Sequence, residues 1–260
     1  MKVGKALYNI LGSSKEIQES FPFNTTDYAP SSTELVTNGD FESGSANWTV
    51  IENTGGSVTF ATNQCQIISN GVLGNGIRQF ILTTGKYYKV VIDIASNTNK
   101  FQIRLGDQIA VVSGSGVQTF YGVATNTDLL IYRESGEAVD VVLNSVSVKE
   151  MVLTKIFPEI APSKIDAPYI VYSVVSNQPS ESKEDNGAID TASVEVYSFQ
   201  DTYNKAIDLG VDVRAALKRV NGTYNTIEIQ SIDYTNEQMD VNEKRDLWAS
   251  IQDYEIRIKN

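Results

Sequence analysis

The chain has 260 residues, of which 41% are hydrophobic and 20% charged, so it has enough apolar material for a core and is not globally disordered. Its 21 Lys and Arg against 32 Asp and Glu give a net charge of −11, which excludes a basic surface for wrapping a phosphate backbone. No histidine is present and Cys65 is the single cysteine, which excludes Ser-His-Asp and Cys-His catalysis, His-ligated metals and an internal disulfide; we expect a protein that is not an enzyme.

The first segment predicts an amphipathic helix, because apolar residues recur at three- and four-residue spacing through residues 2–20. Its apolar residues are too scattered for a signal-peptide core. No apolar run elsewhere approaches the ~20 residues that a membrane-spanning helix needs. We therefore expect a soluble protein that is made in the cytoplasm and has no membrane partner.

Residues 34–150 differ in composition from both flanks. They contain no proline, although the chain has six, and they hold 13 of its 18 glycines. Short alternating apolar runs recur there, separated by clusters of Gly, Asn, Ser and Thr. Many short strands at this spacing are typical of an antiparallel sandwich or barrel.

After residue 150 the pattern becomes mixed. The predicted elements are, in order, a strand at 169–174, a polar loop at 178–187, a strand at 192–199, a helix at 201–220, and strands at 227–234 and 248–258. Asp201 or Thr202 can cap the helix, and Asn221-Gly222 is a typical stop.

One N-terminal helix cannot fold alone in water, so we expect it to pack on the C-terminal sheet. This predicts a discontinuous α+β domain, residues 1–33 and 151–260, formed by an antiparallel sheet with flanking helices. An all-β domain of the jelly-roll or β-sandwich type, residues 34–150, is inserted into it. Insertion is tolerated where the ends of a surface loop lie close together.

The order of the outer segments resembles the tail-completion, or tail-terminator, family of tailed bacteriophages. The segments that carry the resemblance are residues 3–11, 155–162, 167–172, 190–199, 201–220 and 252–254. Members of that family form a ring, usually sixfold, that caps the tail tube and joins it to the head side, and they are structural proteins without chemistry. The large insert after the first helix departs from the family pattern.

The resemblance implies partners and a location. The expected partners are further copies of the chain in a hexameric ring, the tail tube protein, a head-side connector protein, and genomic DNA that only passes through the lumen. The expected location is the tail or neck of a virion, with synthesis in the host cytoplasm. Two sets of residues are candidate contacts with ring neighbours. The first set lies in the polar loop and comprises Glu181, Lys183, Glu184 and Asp185. The second set comprises Tyr254, Ile256 and Ile258 on the strand 246–259, which we expect to form a free edge of the sheet. For the loop, a solvated tip is an equal alternative.

The insert resembles a carbohydrate-binding-module-like jelly roll at residues 34–42 with Trp48, at 85–90 and at 143–148. In that family a structural calcium often lies between the first and last strands, which makes Asp40, Glu42 and Asn144 candidate ligands. The alternative is a turn at residues 38–40 with a solvated Glu42. No other cofactor is expected.

Tyr87, Tyr121 and Tyr132 are candidates for a glycan-stacking surface, and core or rim positions are the alternative. If these tyrosines bind a glycan, the alternative function is a virion-anchored glycan-binding adhesin that acts through the insert. The sequence shows no supported pair of catalytic carboxylates, which argues against a polysaccharide-degrading enzyme. The main hypothesis is therefore a ring-forming structural subunit with a jelly-roll decoration domain.

Overall fold

The computed structural model describes residues 2–21, 23–134, 136–179, 189–242 and 245–259. The described helices are α1 (Lys2–Gly12), α2 (Lys15–Ser20) and α3 (Tyr203–Leu217). The described strands are β1 (Tyr28–Pro30), β2 (Thr49–Ile51), β3 (Gly56–Ala61), β4 (Gln64–Asn70), β5 (Gly76–Phe80), β6 (Tyr87–Asn97), β7 (Phe101–Leu105), β8 (Gln108–Val112), β9 (Gly116–Val123), β10 (Asp128–Arg133), β11 (Ala138–Leu153), β12 (Ile156–Pro158), β13 (Tyr169–Gln178), β14 (Ile189–Gln200), β15 (Gly222–Tyr224), β16 (Ile227–Asn242) and β17 (Leu247–Lys259).

The chain divides into two compact units. Unit 1 comprises Met1–Ala29 and Leu153–Asn260, and unit 2 comprises Pro30–Val152. The two segments of unit 1 meet where the chain leaves and re-enters it, because the Thr154 amide donates to the Asp27 carbonyl at 2.7 Å and Lys155 forms an ion pair with Asp27 at 3.1 Å.

Unit 1 is built on a six-stranded sheet with the order β12-β13-β14-β17-β16-β15. Neighbouring strands are antiparallel except for β12 and β13, which are parallel. Along β14 the side chains alternate between buried and half-buried, so Ala192, Val194 and Val196 point to one side. Helix α3 contacts β14 and β17 on that side and buries Leu209 and Val213 there.

The N-terminal helices α1 and α2 pack beside α3 in unit 1 and form one helix layer with it. Helix α1 contacts α3, β12 and β13, and it buries Leu7 and Leu11 completely. Gly4 allows a close approach, since a Cβ atom there would lie 3.2 Å from the ring of Tyr172. The predicted single helix over residues 2–20 is two helices, because Ser14 starts a new one by accepting a hydrogen bond from the Ile17 amide.

Unit 2 contains two sheets. The strand orders are β3-β4-β11-β6-β9 and β2-β5-β10-β7-β8. Their apolar core includes Trp48 and Cys65, which are 6% and 0% exposed. The indole N–H of Trp48 donates to the Asn38 carbonyl at 2.9 Å, which fixes the turn that follows the first residues of the unit.

The predicted fold class, an α+β outer domain with flanking helices around an all-β insert, is wrong. Strand accounts for 54% of the structure and helix for 13%, so the chain is essentially all-β. The main physical reason is the length of the strands in unit 1. Strand β16 has 16 residues and continues to Asn242, beyond the predicted end at Tyr234, because its polar second half still pairs with β17.

Candidate assembly surface

The C-terminal strand is central in its sheet. Strand β17 pairs with β14 on one side and with β16 on the other, so its backbone groups are used within the subunit. Tyr254, Ile256 and Ile258 are at most 3% exposed. The prediction that these three residues contact a ring neighbour across a free edge is therefore corrected: they form the core beneath the helices.

Strand β16 instead presents an open edge. Strand β15 pairs only with Ile227–Ile229, and in the part of the chain that the structure describes no strand lies beside residues 230–242 on that side. The Val241 amide donates to the Asp240 carboxylate at 2.8 Å, so this N–H is turned away from β17. An edge of this length is a ready template for pairing with another chain.

The opposite side of the sheet is also partly open. Strand β12 pairs with Ile170, Val171 and Tyr172 of β13, and no described strand extends that pairing. The Glu159 carboxylate accepts hydrogen bonds from the Ser173 hydroxyl at 2.7 Å and from the Val174 amide at 3.4 Å. Beyond this contact, Val175 is 59% exposed. Within the described part of unit 1 there are thus two different unpaired strand segments, one on β16 and one on the second half of β13.

A polar network holds the open strand to the helix layer. Glu237 of β16 forms an ion pair with Arg214 of α3. Its other carboxylate oxygen accepts from the Ser250 hydroxyl at 2.9 Å and from the Gln252 amide at 3.0 Å. The Arg214 guanidinium also lies 4.0 Å from the centre of the Tyr234 ring. The second half of β16 is therefore fixed in position although one of its edges is free.

The electrostatics of this network favour a charged Glu237. Burial alone raises the pKa of its carboxyl, but the hydrogen bonds from Gln252 and Ser250 and the charge of Arg214 outweigh that effect and hold the pKa below its usual value.

Aromatic side chains occupy the sheet face that points away from α3. The rings of Tyr169 and Phe199 stack at 4.6 Å, and Tyr197 and Phe199 are stacked at 6.3 Å. They line a cleft of about 520 Å³ together with Val171 and Arg245. Tyr197 and Phe199 remain half-buried, so this face offers apolar area next to both free edges.

The acidic loop lies outside the described residues. Glu181, Lys183, Glu184 and Asp185 all fall within residues 180–188, so their proposed contact with a ring neighbour stays a prediction.

The candidate calcium ligands are not gathered into a site. Asp40 and Glu42 are exposed, and the Asp40 carboxylate accepts from the Glu42 amide at 3.3 Å. The side chain of Asn144 bonds to Gln64 at 2.7 Å and to Asp93 at 3.1 Å. Among the described residues, no group of three or more His, Cys, Asp or Glu side chains is placed to hold a metal ion. Calcium binding stays a prediction without a ligand cluster to support it.

The three candidate glycan-stacking tyrosines do not share a surface. Tyr87 of β6 and Tyr121 of β9 lie in one sheet of unit 2, whereas Tyr132 of β10 lies in the other. Tyr121 is 42% exposed, and Tyr88, the neighbour of Tyr87, is buried in the core with 1% exposure. A single platform of all three rings is therefore not formed.

Sequence reasoning missed the free edge on β16 and the network around Glu237. The available signal was weak: Arg214 belongs to the predicted helix, and Glu237 lies in a polar stretch that lacks the alternation of a half-buried strand.

No helix among the described residues has both the length and the apolarity that crossing a membrane requires.

Comparison with known proteins gives a match to a protein family and matches to solved structures. Residues 139–259 match the family described as Tail completion protein gp17, which confirms the resemblance drawn from the sequence. A chain in a solved structure titled "Virion of native gene transfer agent (GTA) particle" has 14% identity and a TM-score of 0.32, covering 41% of this chain and 80% of that chain. The comparison with curated proteins found no match. The family match supports a structural tail protein of a virion; the jelly-roll resemblance of the insert stays a prediction.

Proposed function

We propose that this chain is a tail-completion subunit that assembles into a closed homo-oligomeric ring, with sixfold symmetry expected from the family. The ring caps the tail tube and joins it to the head-side connector. The family match over residues 139–259 supports the tail role, and the two free edges of one sheet support the ring.

The main observation that supports the ring is the relative direction of the two strands with free edges, β13 and β16. Strands β13, β14, β17 and β16 alternate in direction, so β13 and β16 run antiparallel to each other. When β16 of one copy lies beside β13 of the next, the two strands pair antiparallel and the sheet continues from copy to copy. Since two different edges meet, the interface is heterologous, and such an interface generates a ring if its rotation closes.

The function of such a ring is geometric. Closure uses the free edges of β16 and β13, so neither of these two edges is left to continue the assembly by strand pairing. Genomic DNA passes through the lumen, and a net charge of −11 per chain disfavours its adhesion there. No catalytic step is assigned, and the location is the tail or neck of a virion.

Unit 2 is proposed to be a decoration domain inserted into the ring-forming domain, with the character of a carbohydrate-binding-module-like jelly roll. Its own two-sheet core supports independent folding. The ring assignment does not depend on a ligand for this unit.

The test is the oligomeric state of the purified full chain, measured by mass photometry and by negative-stain electron microscopy at micromolar concentration. We expect one discrete oligomer of annular shape, six subunits in mass. Monomers at all concentrations, or filaments of unlimited length, contradict the proposal.

A further inference from the structure

A cleft of about 560 Å³ lies in unit 1 between the end of helix α3 and the open part of strand β16. Residues 217–221 form one wall, residues 230–234 form the other, and Arg214 and Tyr254 complete the lining. Strand β15 pairs only with Ile227–Ile229, so the second wall is the first part of β16 that has no neighbour on its outer side among the described strands. The cleft therefore lies beside the edge that is proposed to meet another copy of the chain.

This basic cleft carries positive charge in a chain that has 32 acidic and 21 basic residues. Arg214, Lys218 and Arg219 line it. Lys218 and Arg219 are exposed, and neither forms an ion pair with a described residue. Arg214 is paired with Glu237, but its Nε atom is buried without a hydrogen-bond partner. The two free cations are thus left for a group outside the described part of the subunit.

Asp233 is the only acidic side chain among the described residues that line the basic cleft. Its neighbour Ile232 is buried beneath the helix layer, so Asp233 is directed to the other face of the strand. There its carboxylate accepts a hydrogen bond from the Ser231 hydroxyl at 3.0 Å. The charge of Asp233 therefore does not replace a partner for the cations on the helix side.

The backbone at Arg219 has an uncommon conformation for an arginine. Lys218 is the C-cap of α3, and Arg219 follows it with a φ of 60°. Glycine is the usual residue directly after a helix in this left-handed region, because a side chain disfavours it. The chain thus has a guanidinium in the wall of the basic cleft at a position where the backbone favours glycine.

The end of β13 lies at the same end of the sheet as the basic cleft. Gln178, the last residue of β13, pairs with Thr191 of β14. The same cross-strand row continues through Arg257 of β17 to Ser231 of β16, which lines the cleft. The end of β13 and the cleft are therefore level with each other on opposite edges of one sheet.

The segment that connects β13 to β14 is acidic. Residues 179–188 contain Glu181, Glu184 and Asp185 against the single cation Lys183. Ten residues that leave a sheet and return to it can reach up to about 16 Å, more than three times the spacing of neighbouring strands. The segment is thus long enough to reach the far side of a strand paired beside β13.

We propose that the basic cleft of one copy binds the acidic segment 181–185 of the next copy in the ring. This inference rests on the proposed function, since it needs β16 of one copy beside β13 of the next. Because these strands pair antiparallel, the end of β13 comes to the start of the open part of β16, where Lys218 and Arg219 lie.

The contact adds specificity to the strand pairing. Carboxylates of the segment and the two free cations form charge-assisted hydrogen bonds across the interface. When β16 of one copy meets β16 of another, neither edge leads into an acidic segment, so this contact is missing. The charges therefore favour the pairing of two different edges, which a ring requires, over the pairing of two identical ones.

The experiment is a charge exchange in the full chain, with ring formation measured by mass photometry over a range of concentrations. The cleft variant is Lys218→Glu/Arg219→Glu and the segment variant is Glu184→Lys/Asp185→Lys. Each is expected to raise the concentration of half-assembly roughly tenfold or more, because like charges then meet. The variant that combines all four substitutions is expected to return to within about threefold of the wild type.

The matched control is Lys100→Glu/Lys205→Glu, which changes the net charge by the same amount at two exposed lysines. Lys100 belongs to unit 2, and Lys205 lies in the first turn of α3, at the other end of the helix from the basic cleft. This control is expected to assemble like the wild type. Circular dichroism melting of every variant shows whether the subunit is folded.

A carbodiimide crosslink needs no variant, so it decides the question even if the cleft variant does not fold. Rings are assembled from a mixture of unlabelled and ¹⁵N-labelled wild-type chains. We expect a crosslinked peptide pair that joins Lys218 to an acidic residue of 181–185 and contains one labelled and one unlabelled partner.

The outcomes separate this inference from the ring itself. If the wild type forms no ring, the proposed function fails and this inference fails with it. If the wild type forms rings, the inference alone is overturned by any of four results: a folded charge variant that assembles like the wild type, a combined variant that stays as weak as the single ones, an equal loss in the control, or the absence of the mixed-label crosslink.

Discussion

The side-chain amide of Gln252 donates a hydrogen bond of 2.9 Å to the backbone carbonyl of Gly210. This contact links the central strand of unit 1 directly to the helix that covers it. It is possible because Gly210 has no side chain: a Cβ atom there would lie 2.4 Å from the Ser250 hydroxyl oxygen. Helix α3 and strand β17 are therefore in close contact just beside the open strand β16.

The first prediction concerns this close approach. Gly210→Ala is expected to lower the free energy of unfolding by about 1–3 kcal/mol, because overpacking outweighs the ~1 kcal/mol gain in helix propensity. Urea unfolding measures the change. Val211→Ala, at a position that is 54% exposed on the same helix, is the control and is expected to have a small effect. An unchanged or raised stability of Gly210→Ala contradicts the close packing.

The second prediction concerns pH. The pKa of Glu237 is lowered in the folded state, so its charged form contributes stability at neutral pH that is lost as the pH falls below about 4.3, the value in an unfolded chain. Glu237→Gln is expected to be less stable than the wild type at neutral pH, and the difference is expected to shrink in acid.

Thermal unfolding from neutral pH to about pH 3 tests this expectation. Glu255→Gln, which changes an exposed carboxylate on β17, is the control. If the stabilities of Glu237→Gln and the wild type differ by the same amount at every pH, the network does not stabilise the charged form of Glu237.

The elements that can be predicted from the sequence are those with one buried face. Helix α3 is close to its predicted range, and Thr202 is one of its two predicted caps: its side chain accepts from the Lys205 amide. In these elements local pattern and burial agree, so periodicity is informative.

The open edge was not predictable in the same way. Met239 and Val241 are the only apolar residues among 235–242, and most of the segment is exposed, so there is too little hydrophobic alternation to mark it as strand. Its structure comes from pairing with β17 and from the contact of Glu237 with Arg214, both of which are non-local. Strand order is likewise non-local, so the sequence pattern of β17 predicts an edge strand although β17 is central in its sheet.

The third prediction separates the two sides of β16. The Val241 amide points away from β17, and successive N–H groups alternate in direction, so the Met239 amide points to the open edge and the Gln238 amide points to β17. Met239→Pro is expected to leave the subunit folded and to abolish the ring, because proline removes the outward donor.

Gln238→Pro is the matched comparison. It removes an N–H that pairs within the subunit, so it is expected to lower the free energy of unfolding by about 1 kcal/mol or more. Circular dichroism melting and mass photometry report the two effects separately. Rings of normal size formed by Met239→Pro rule out pairing through this edge.

The fourth prediction concerns the insert. The chain ends that unit 2 connects are close together within unit 1, since the Thr154 amide and the Asp27 carbonyl are 2.7 Å apart. Replacing residues 30–152 with a short Gly-Ser linker is expected to leave a folded protein that forms the same ring. Residues 30–152 alone are expected to fold as a monomer. Loss of folding in the shortened chain means that the two units are not independent.

The most direct test of the account joins the two proposed edges. Cysteines are introduced at Val175 of β13 and Gln238 of β16, both exposed, and treated with a short bis-maleimide. The native Cys65 does not interfere, because it is buried and burial raises the pKa of its thiol to about 12. We expect the double variant to give a ladder of covalent oligomers that ends at the size of the ring, while either single variant stays uncrosslinked. Crosslinked dimers from a single variant, or no ladder from the double variant, contradict a ring in which β16 of one copy pairs with β13 of the next.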